Sequence, residues 1–406
     1  MSDSTSILVP SPRDDAGNGA DTGDAGRDGA KATSAETAPG RSRPGGDRLR
    51  ALDGMRILAA LMVCFYHYTG RGGTVSESWG ESPRDLFGGL PDITVYGNLG
   101  VEFFFVISGF VICMSCWGRS LGDFFRSRVS RLYPAYWTAI VLVTAASLAL
   151  PAVAKPVRLD EFLVNLTMLQ QPAGAERVLG VCWTLWVELR FYLLFALFVV
   201  WKGATYRRVV MFSCLWLVAG VFSRAADVEI LHELTLDVYA PFFTGGLALY
   251  LIHRYGSDLL LWGIVGVSWL LGQYYVTGAM GNPAATGSFA QREPEVILLV
   301  VTLAFASVAA VALGWLRWAS WRWLTTAGAL TYPFYLIHEH LGWFVIRVLH
   351  RKLDVPAPVT LAATIGGMLL LAYAIHRLVE RPGGKALKRV LTEQARALPA
   401  RLRSAG

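Results

Sequence analysis

Charged side chains are scarce in this chain of 406 residues. They make up 17% of the sequence, whereas 54% of the residues are hydrophobic. Soluble proteins of this length are rarely so apolar, so the composition predicts a membrane protein with several spans. The net charge of +7 is not accompanied by basic clusters interleaved with aromatic residues, which argues against binding to nucleic acid.

Cysteine is also scarce, with five residues. Cys113 and Cys116 form a C-x-x-C pattern, which in a soluble protein would suggest redox or metal chemistry. Here both lie inside an apolar segment, where small, buried cysteines usually serve as packing residues. We therefore predict no disulfide framework, no bound metal and no resident cofactor.

Large apolar residues are almost missing before Asp47. A segment of Gly, Ala, Asp and Ser cannot bury enough surface to fold, so residues 1–47 are predicted to be a disordered tail. This tail contains no apolar signal-peptide core, and we expect the first membrane insertion signal after Arg50.

Apolar segments dominate the rest of the chain. About ten of them are long enough to cross a bilayer, which takes about 20 residues each. The predicted spans are Leu52–Gly70, Leu99–Trp117, Ala135–Ala152, Val181–Val200, Val209–Arg224, Leu236–Ile252, Leu259–Val276, Glu295–Leu313, Thr326–Leu349 and Val359–Val379. The fold class is therefore all-α, a polytopic membrane bundle over residues 48–382, followed by a basic tail over residues 383–406.

Arginine and lysine predict the orientation of the bundle, because loops on the cytoplasmic side are enriched in them. With the N-terminus inside, the inner loops contain Arg119, Arg126, Arg128, Arg131, Lys202, Arg207, Arg208, Arg254, Arg317 and Arg322. The basic C-terminal tail falls on the same side. Both termini are predicted to be cytoplasmic, in a multi-pass protein of the cell membrane.

The first span carries two ionisable residues in "RILAALMVCFYH", Arg56 and His67. At about 100° and 1.5 Å per residue they share one helix face and are separated by about 16 Å. The second span, in "GNLGVEFFFVISGF", places Glu102 near its outer end. We expect Glu102 to face His67 at similar depth and to orient it as a general base. A buried ion pair that only joins two helices is the structural alternative.

Further polar residues lie on other spans. Ser108 follows Glu102, Arg128 and Arg131 form an R-x-x-R pattern, and "CWTLWVELRFYLLF" contains Glu188 and Arg190. The ninth span holds Tyr335, His338, Glu339 and His340 in "TYPFYLIHEH". Ionisable groups in a bilayer need partners or a water-filled cavity, so their concentration predicts one polar pocket. An acyl-transfer centre and a proton path both fit such a pocket.

Five stretches in this order resemble the acyltransferase-3 family of bacterial integral-membrane O-acyltransferases. They are "RLRALDGMRILAALMVCFYHY", "GVEFFFVISGFVI", "RSRVSRLYPAYW", "WTLWVELRFYLL" and "YPFYLIH". The resemblance implies transfer of an acyl group from a cytosolic acyl-CoA to a hydroxyl group. It implies catalytic roles for His67, Glu102 and Arg56. It also implies substrate-binding roles for Arg128, Arg131, Ser108, Glu188, Tyr335 and His338.

The resemblance also suggests substrates. Acetyl-CoA is the expected donor, and similarity to the actinomycete branch suggests a secondary metabolite such as a macrolide as acceptor. O-acetylation of a cell-envelope glycan is an alternative with the same chemistry. A proton-coupled transporter is an alternative of another class, disfavoured because the sequence has no repeated half with Gly- or Pro-broken helices.

Overall fold

Helices account for nearly all regular structure in the described part of the chain. The computed structural model describes residues 49–151, 155–280 and 292–404, the side chains of Thr74 and of residues 396–404 excepted. Within these ranges there are α-helices and helical turns and no extended β-strand. The predicted disordered tail over residues 1–47 lies outside the described residues.

Sixteen α-helices follow one another along the described residues. Their bounds are α1 Arg50–Phe65, α2 Thr74–Trp79, α3 Pro83–Phe87, α4 Leu90–Thr94, α5 Gly100–Cys116, α6 Leu121–Ala149, α7 Leu159–Asn165, α8 Cys182–Phe195, α9 Tyr206–Ala226, α10 Glu229–Thr235, α11 Ala240–Tyr255, α12 Leu259–Met280, α13 Pro294–Ala312, α14 Arg322–Ile346, α15 Ala357–Ile375 and α16 Arg381–Ser404. Wider π-helical turns extend four of them, at Tyr66–Gly70 after α1, Ala196–Val200 after α8, Arg347–Lys352 after α14 and His376–Glu380 after α15.

Each of the ten predicted spans coincides with one of these helices, so the all-α bundle is confirmed. Among the described residues, eight helical segments are long and apolar enough to cross a membrane. α1 and α14 are not among the eight. Helix α14 and the turn that follows α1 carry the histidines of the predicted pocket, and α1 and α14 pack against each other.

The chain enters and leaves the bundle at the same end. Leu49, Arg56 and Arg381 line one open cleft, so the start of α1 and the end of α15 lie together. We call this the Arg56 end, and the opposite one the His67 end. That the Arg56 end faces the cytoplasm stays a prediction from the distribution of positive charge.

α5 packs against α1 through two glycines that fix the register of the two helices. A Cβ atom at Gly97 would collide with the Met62 carbonyl, and one at Gly100 would collide with the Ala59 carbonyl. Because the helices run antiparallel, each further residue along α5 lies opposite an earlier residue of α1. Glu102 therefore lies near the level of Ile57, about 15 Å from the level of His67 at 1.5 Å per residue.

Candidate active site

His67 lies where α1 widens into the π-helical turn Tyr66–Gly70. Turns of this kind leave backbone groups without their usual helical partners and are frequent at functional sites. The indole Nε1 of Trp343 donates to the His67 carbonyl at 3.0 Å, and that of Trp79 donates to the Tyr68 carbonyl at 2.8 Å. These two bonds hold the turn in its widened form.

The imidazoles of His67 and His338 form a hydrogen-bonded pair between α1 and α14. His67 Nδ1 lies 2.9 Å from His338 Nε2, and His338 Nδ1 lies 2.8 Å from the Tyr335 carbonyl. A carbonyl only accepts, so we assign the proton of neutral His338 to Nδ1, which makes its Nε2 the acceptor for the Nδ1 proton of His67. The second nitrogen of His67, Nε2, then carries a free lone pair.

The Glu339 carboxylate lies next to Nε2 of His67. Its Oε1 lies 3.6 Å from His67 Nε2 and 2.9 Å from Arg71 Nη1, and its Oε2 lies 3.5 Å from His340 Nδ1. A carboxylate at this position stabilises the imidazolium that forms once Nε2 takes a proton. His67 keeps 11% of its side chain exposed while His338 is completely buried, so His67 is the histidine that a substrate can reach.

Close packing holds the carboxylate and the histidine pair in place. The Tyr68 hydroxyl donates to the His338 carbonyl at 2.6 Å, and a side chain at Gly342 would collide with that hydroxyl. A Cβ atom at Gly180 would overlap the Glu339 carboxylate. The loop before α8 can therefore lie against the carboxylate only because Gly180 has no side chain.

The prediction that Glu102 faces His67 is wrong in the structure. Glu102 is buried, but its Oε2 has no hydrogen-bond partner among the described residues, and Arg292 is the cation whose charge acts on it. The physical reason is the register of α5 against α1. The helical segment that contains the second span begins at Leu90, earlier than the predicted Leu99, and this places Glu102 deeper than His67.

A chamber lies between α1, α5, α6, α8 and α14, on the Arg56 side of the histidine pair. It has about 840 Å³ of empty space including its open mouth. Its polar lining consists of Arg56, Ser108, Arg128, Arg131, Thr184, Glu188, Tyr192, Thr331, Tyr332 and Tyr335. The structure thus brings six of the predicted site residues to one cavity.

Ser108, Glu188 and Tyr192 form a hydrogen-bonded cluster in the chamber wall. Glu188 Oε1 accepts from the Ser108 hydroxyl at 2.5 Å and from the Tyr192 hydroxyl. These bonds satisfy a carboxylate that would otherwise be costly at this depth. Glu188 is thereby engaged away from His67 and does not replace Glu102 as its partner.

The arginines and Tyr335 occupy opposite ends of the chamber. Arg56 and Arg131 line both the chamber and the open cleft at the Arg56 end. Arg128 is buried and donates to the Ser115 hydroxyl at 2.8 Å. At the other end, the Tyr335 hydroxyl lies 3.0 Å from the Thr184 hydroxyl, and its ring lies 5.6 Å from the His338 ring. The chamber therefore leads from the arginines to the edge of the histidine pair.

Glu339 and Arg71 were not among the predicted site residues. Glu339 had a signal in the sequence, since it follows His338 in an apolar helix, where an ionisable residue needs a partner. Arg71 had none, because it comes just after the first span in a glycine-containing stretch that is typical of a loop.

Comparison with known proteins yields a family model and several relatives. The acyltransferase-3 family model, described as an acyltransferase domain, matches residues 49–377. The chain is 27% identical to Acyltransferase MdmB of Streptomyces mycarofaciens, over 84% of this chain and 93% of that protein. No solved structure matches the chain.

Two further relatives have names that refer to polysaccharides. The chain is 28% identical to the exopolysaccharide production protein ExoZ of Rhizobium meliloti, over 70% of this chain and 89% of that protein. It is 27% identical to the peptidoglycan O-acetyltransferase OatA of Listeria monocytogenes, over 37% of this chain and 24% of that protein.

Proposed function

Because this chain belongs to the acyltransferase-3 family and is a multi-pass membrane O-acyltransferase, we propose that it moves an acyl group from acyl-CoA to a hydroxyl of a secondary metabolite such as a macrolide. Acetyl-CoA is the proposed donor, and the cell membrane is the proposed location. The observation that carries the mechanism is the position of the His67 imidazole, with Nδ1 at 2.9 Å from His338 Nε2 and Nε2 at 3.6 Å from Glu339 Oε1. Membership in an acyltransferase family removes the basis for the transporter alternative.

In the proposed reaction His67 acts as the general base. Its Nε2 takes the proton of the acceptor hydroxyl while the hydroxyl oxygen attacks the thioester carbonyl. The new C–O bond forms, the C–S bond breaks, and the proton passes from His67 to the departing thiolate. His338 keeps Nε2 of His67 unprotonated before the reaction, and Glu339 stabilises the imidazolium during it.

A route through an acyl-histidine also fits this geometry. Nε2 of His67 would then attack the thioester itself, and the acceptor hydroxyl would take the acyl group in a second step. The two routes differ in kinetics, since only the second allows thiol release before the acceptor binds. A burst of thiol in the absence of acceptor distinguishes them.

The arginines are proposed to bind the donor phosphates. Arg56 and Arg131 line the passage between the open cleft and the chamber, and guanidinium groups bind phosphates through paired hydrogen bonds. Arg56 and His67 are separated by about 16 Å of helix rise. A pantetheine arm of comparable length would run through the chamber past Ser108 and Glu188, with the thioester near Tyr335.

A secondary metabolite is proposed ahead of a glycan because the motifs resemble the actinomycete branch of the family and the similarity to the Streptomyces acyltransferase covers nearly all of that protein. The chain covers 93% of the Streptomyces acyltransferase but 24% of the peptidoglycan O-acetyltransferase. Glycan O-acetylation stays the second candidate, because the exopolysaccharide production protein is also covered over 89% of its length.

The test is acyl transfer by the purified protein in phosphatidylcholine nanodiscs. Labelled acetyl-CoA is supplied with a panel of macrolides or with a polysaccharide fragment, and thiol release and labelled product are measured. Labelled macrolide formed by wild type but not by the His67→Gln variant supports the proposal. Label in the polysaccharide alone would favour the second candidate, and no thiol release with any acceptor would refute acyl-CoA as donor.

A further inference from the structure

Four arginines from three parts of the fold line the open cleft at the Arg56 end. Arg56 comes from α1 and Arg131 from α6, while Arg377 lies in the π-helical turn after α15 and Arg381 begins α16. Arg56 and Arg131 also line the chamber, whereas Arg377 and Arg381 line only the cleft. The second pair is therefore the one farther from the histidines.

Two carboxylates against four arginines balance only part of this charge. Glu380 lines the cleft, but its Oε2 is held by His376 Nδ1 at 2.9 Å, and Asp53 is the second acidic residue of the lining. Within the described residues, no ion pair joins a carboxylate to Arg377 or Arg381, whereas Arg126 at the same end is paired with Asp123 at 2.8 Å.

Arg377 and Arg381 are four residues apart on one continuous helical segment. Like charges at this spacing face each other and repel. The guanidinium of Arg377 lies 5.7 Å from the centre of the Tyr373 ring, which fixes its position against the cleft wall. Two adjacent guanidiniums in an open cleft, neither in an ion pair within the described residues, suit a phosphate dianion, which accepts hydrogen bonds from both.

We propose that Arg377 and Arg381 bind the terminal phosphate monoester on the nucleotide end of the donor, the 3′-phosphate of coenzyme A. This inference rests on the proposed function, in which Arg56 and Arg131 take the diphosphate where the cleft meets the chamber. The nucleotide then lies in the cleft, beyond the diphosphate, where the second arginine pair stands. This subsite selects a free coenzyme A thioester over a donor that lacks the terminal phosphate.

The phosphate of an anionic lipid has the same chemistry and is the competing source of the ligand. The experiment therefore uses three probes: coenzyme A, 3′-dephospho-coenzyme A and phosphatidylglycerol. Dissociation constants for the two nucleotides are measured by isothermal titration in nanodiscs of phosphatidylcholine, and again in nanodiscs containing phosphatidylglycerol. The protein is wild type or the double variant Arg377→Gln/Arg381→Gln.

Wild type should bind coenzyme A at least about tenfold more tightly than the dephospho form, as expected for a charge-assisted contact. In the double variant the ratio of the two dissociation constants should fall toward one. The matched control, Arg207→Gln/Arg317→Gln, removes two arginines that do not line the cleft and should keep the wild-type ratio.

Three results would overturn the inference. A double variant that still discriminates between the nucleotides would show that Arg377 and Arg381 do not contact the 3′-phosphate, and the proposed donor would stand. A second result would assign the two arginines to lipid. In it, phosphatidylglycerol weakens coenzyme A binding to wild type but not to the double variant, and the ratio of the two nucleotide dissociation constants is the same in both proteins. Failure of wild type to bind either nucleotide would refute the proposed donor itself.

Discussion

Replacement of Glu339 by Gln tests the assignment of the base and its counter-ion. Glutamine keeps the size of the side chain and removes its charge. At the 3.6 Å between Glu339 Oε1 and His67 Nε2, opposite unit charges attract by about 4–5 kcal/mol at an effective dielectric constant of about 20. This attraction exists only after His67 has taken the proton, so it stabilises the transition state more than the ground state.

The net effect is smaller than this attraction because Arg71 also pairs with Glu339, at 2.9 Å, and is itself 37% exposed. Allowing for the competing cation and for solvent screening, we expect a loss of about 2–4 kcal/mol. This corresponds to a decrease in kcat of roughly 30-fold to 1,000-fold, since 1.36 kcal/mol is a factor of ten. The KM for the donor should change little, because Glu339 lies outside the chamber lining.

The assay is thiol release at saturating acetyl-CoA and acceptor, with Glu233→Gln as the matched control. Glu233 is paired with Arg190 near the bundle periphery and should keep kcat within about twofold. The double variant His67→Ala/Glu339→Gln should be no slower than His67→Ala alone, because residues that act as a unit are not additive. A Glu339→Gln variant within fivefold of wild type would refute the counter-ion role.

Four other predictions follow from the same site. His67→Gln should abolish transfer while binding of coenzyme A, measured by titration, persists; activity within a few-fold of wild type would restore a structural role. Arg128→Ala with Arg131→Ala should raise the KM for the donor roughly tenfold or more and leave the KM for the acceptor nearly unchanged. Lysine at both positions should restore only part of the donor affinity, because lysine lacks the paired donors of a guanidinium group. Gly180→Ala should lower kcat through displacement of the nearby Glu339 carboxylate; an unchanged kcat would contradict that packing. Glu102→Gln should keep kcat within a few-fold, and a loss as large as that of the base would revive the original pairing.

The sequence was sufficient to predict the bundle, but it did not predict which side chains contact His67, whose catalytic role stays a prediction. The prediction of Glu102 depended on where the second span begins. The segment from Leu90 to Asn98 contains Pro91 and Asp92, which lower its hydropathy, although it forms helical turns that continue into α5. Helix register is fixed by the close approach of glycines to backbone carbonyls, and hydropathy carries no information about such contacts.

The two side chains that contact His67 in the structure, His338 and Glu339, would not be expected from helix geometry alone. Adjacent residues of an α-helix point about 100° apart, so His338 and Glu339 would not be expected to contact the same side chain. Both reach His67 because the two nitrogens of its imidazole point in different directions, one toward each partner. A pairing of this kind becomes visible only once α1 and α14 are placed side by side.

The candidate site lies on α1 and α14, which are not among the eight helical segments that are long and apolar enough to cross a membrane. The reason is chemical. Histidines and charged side chains lower the hydropathy of any helix that contains them, and each would be costly in lipid alone. Placed on two helices that pack against each other, His67, His338 and Glu339 become mutual partners. A low hydropathy within an otherwise apolar bundle is therefore itself a signal for where a candidate active site lies.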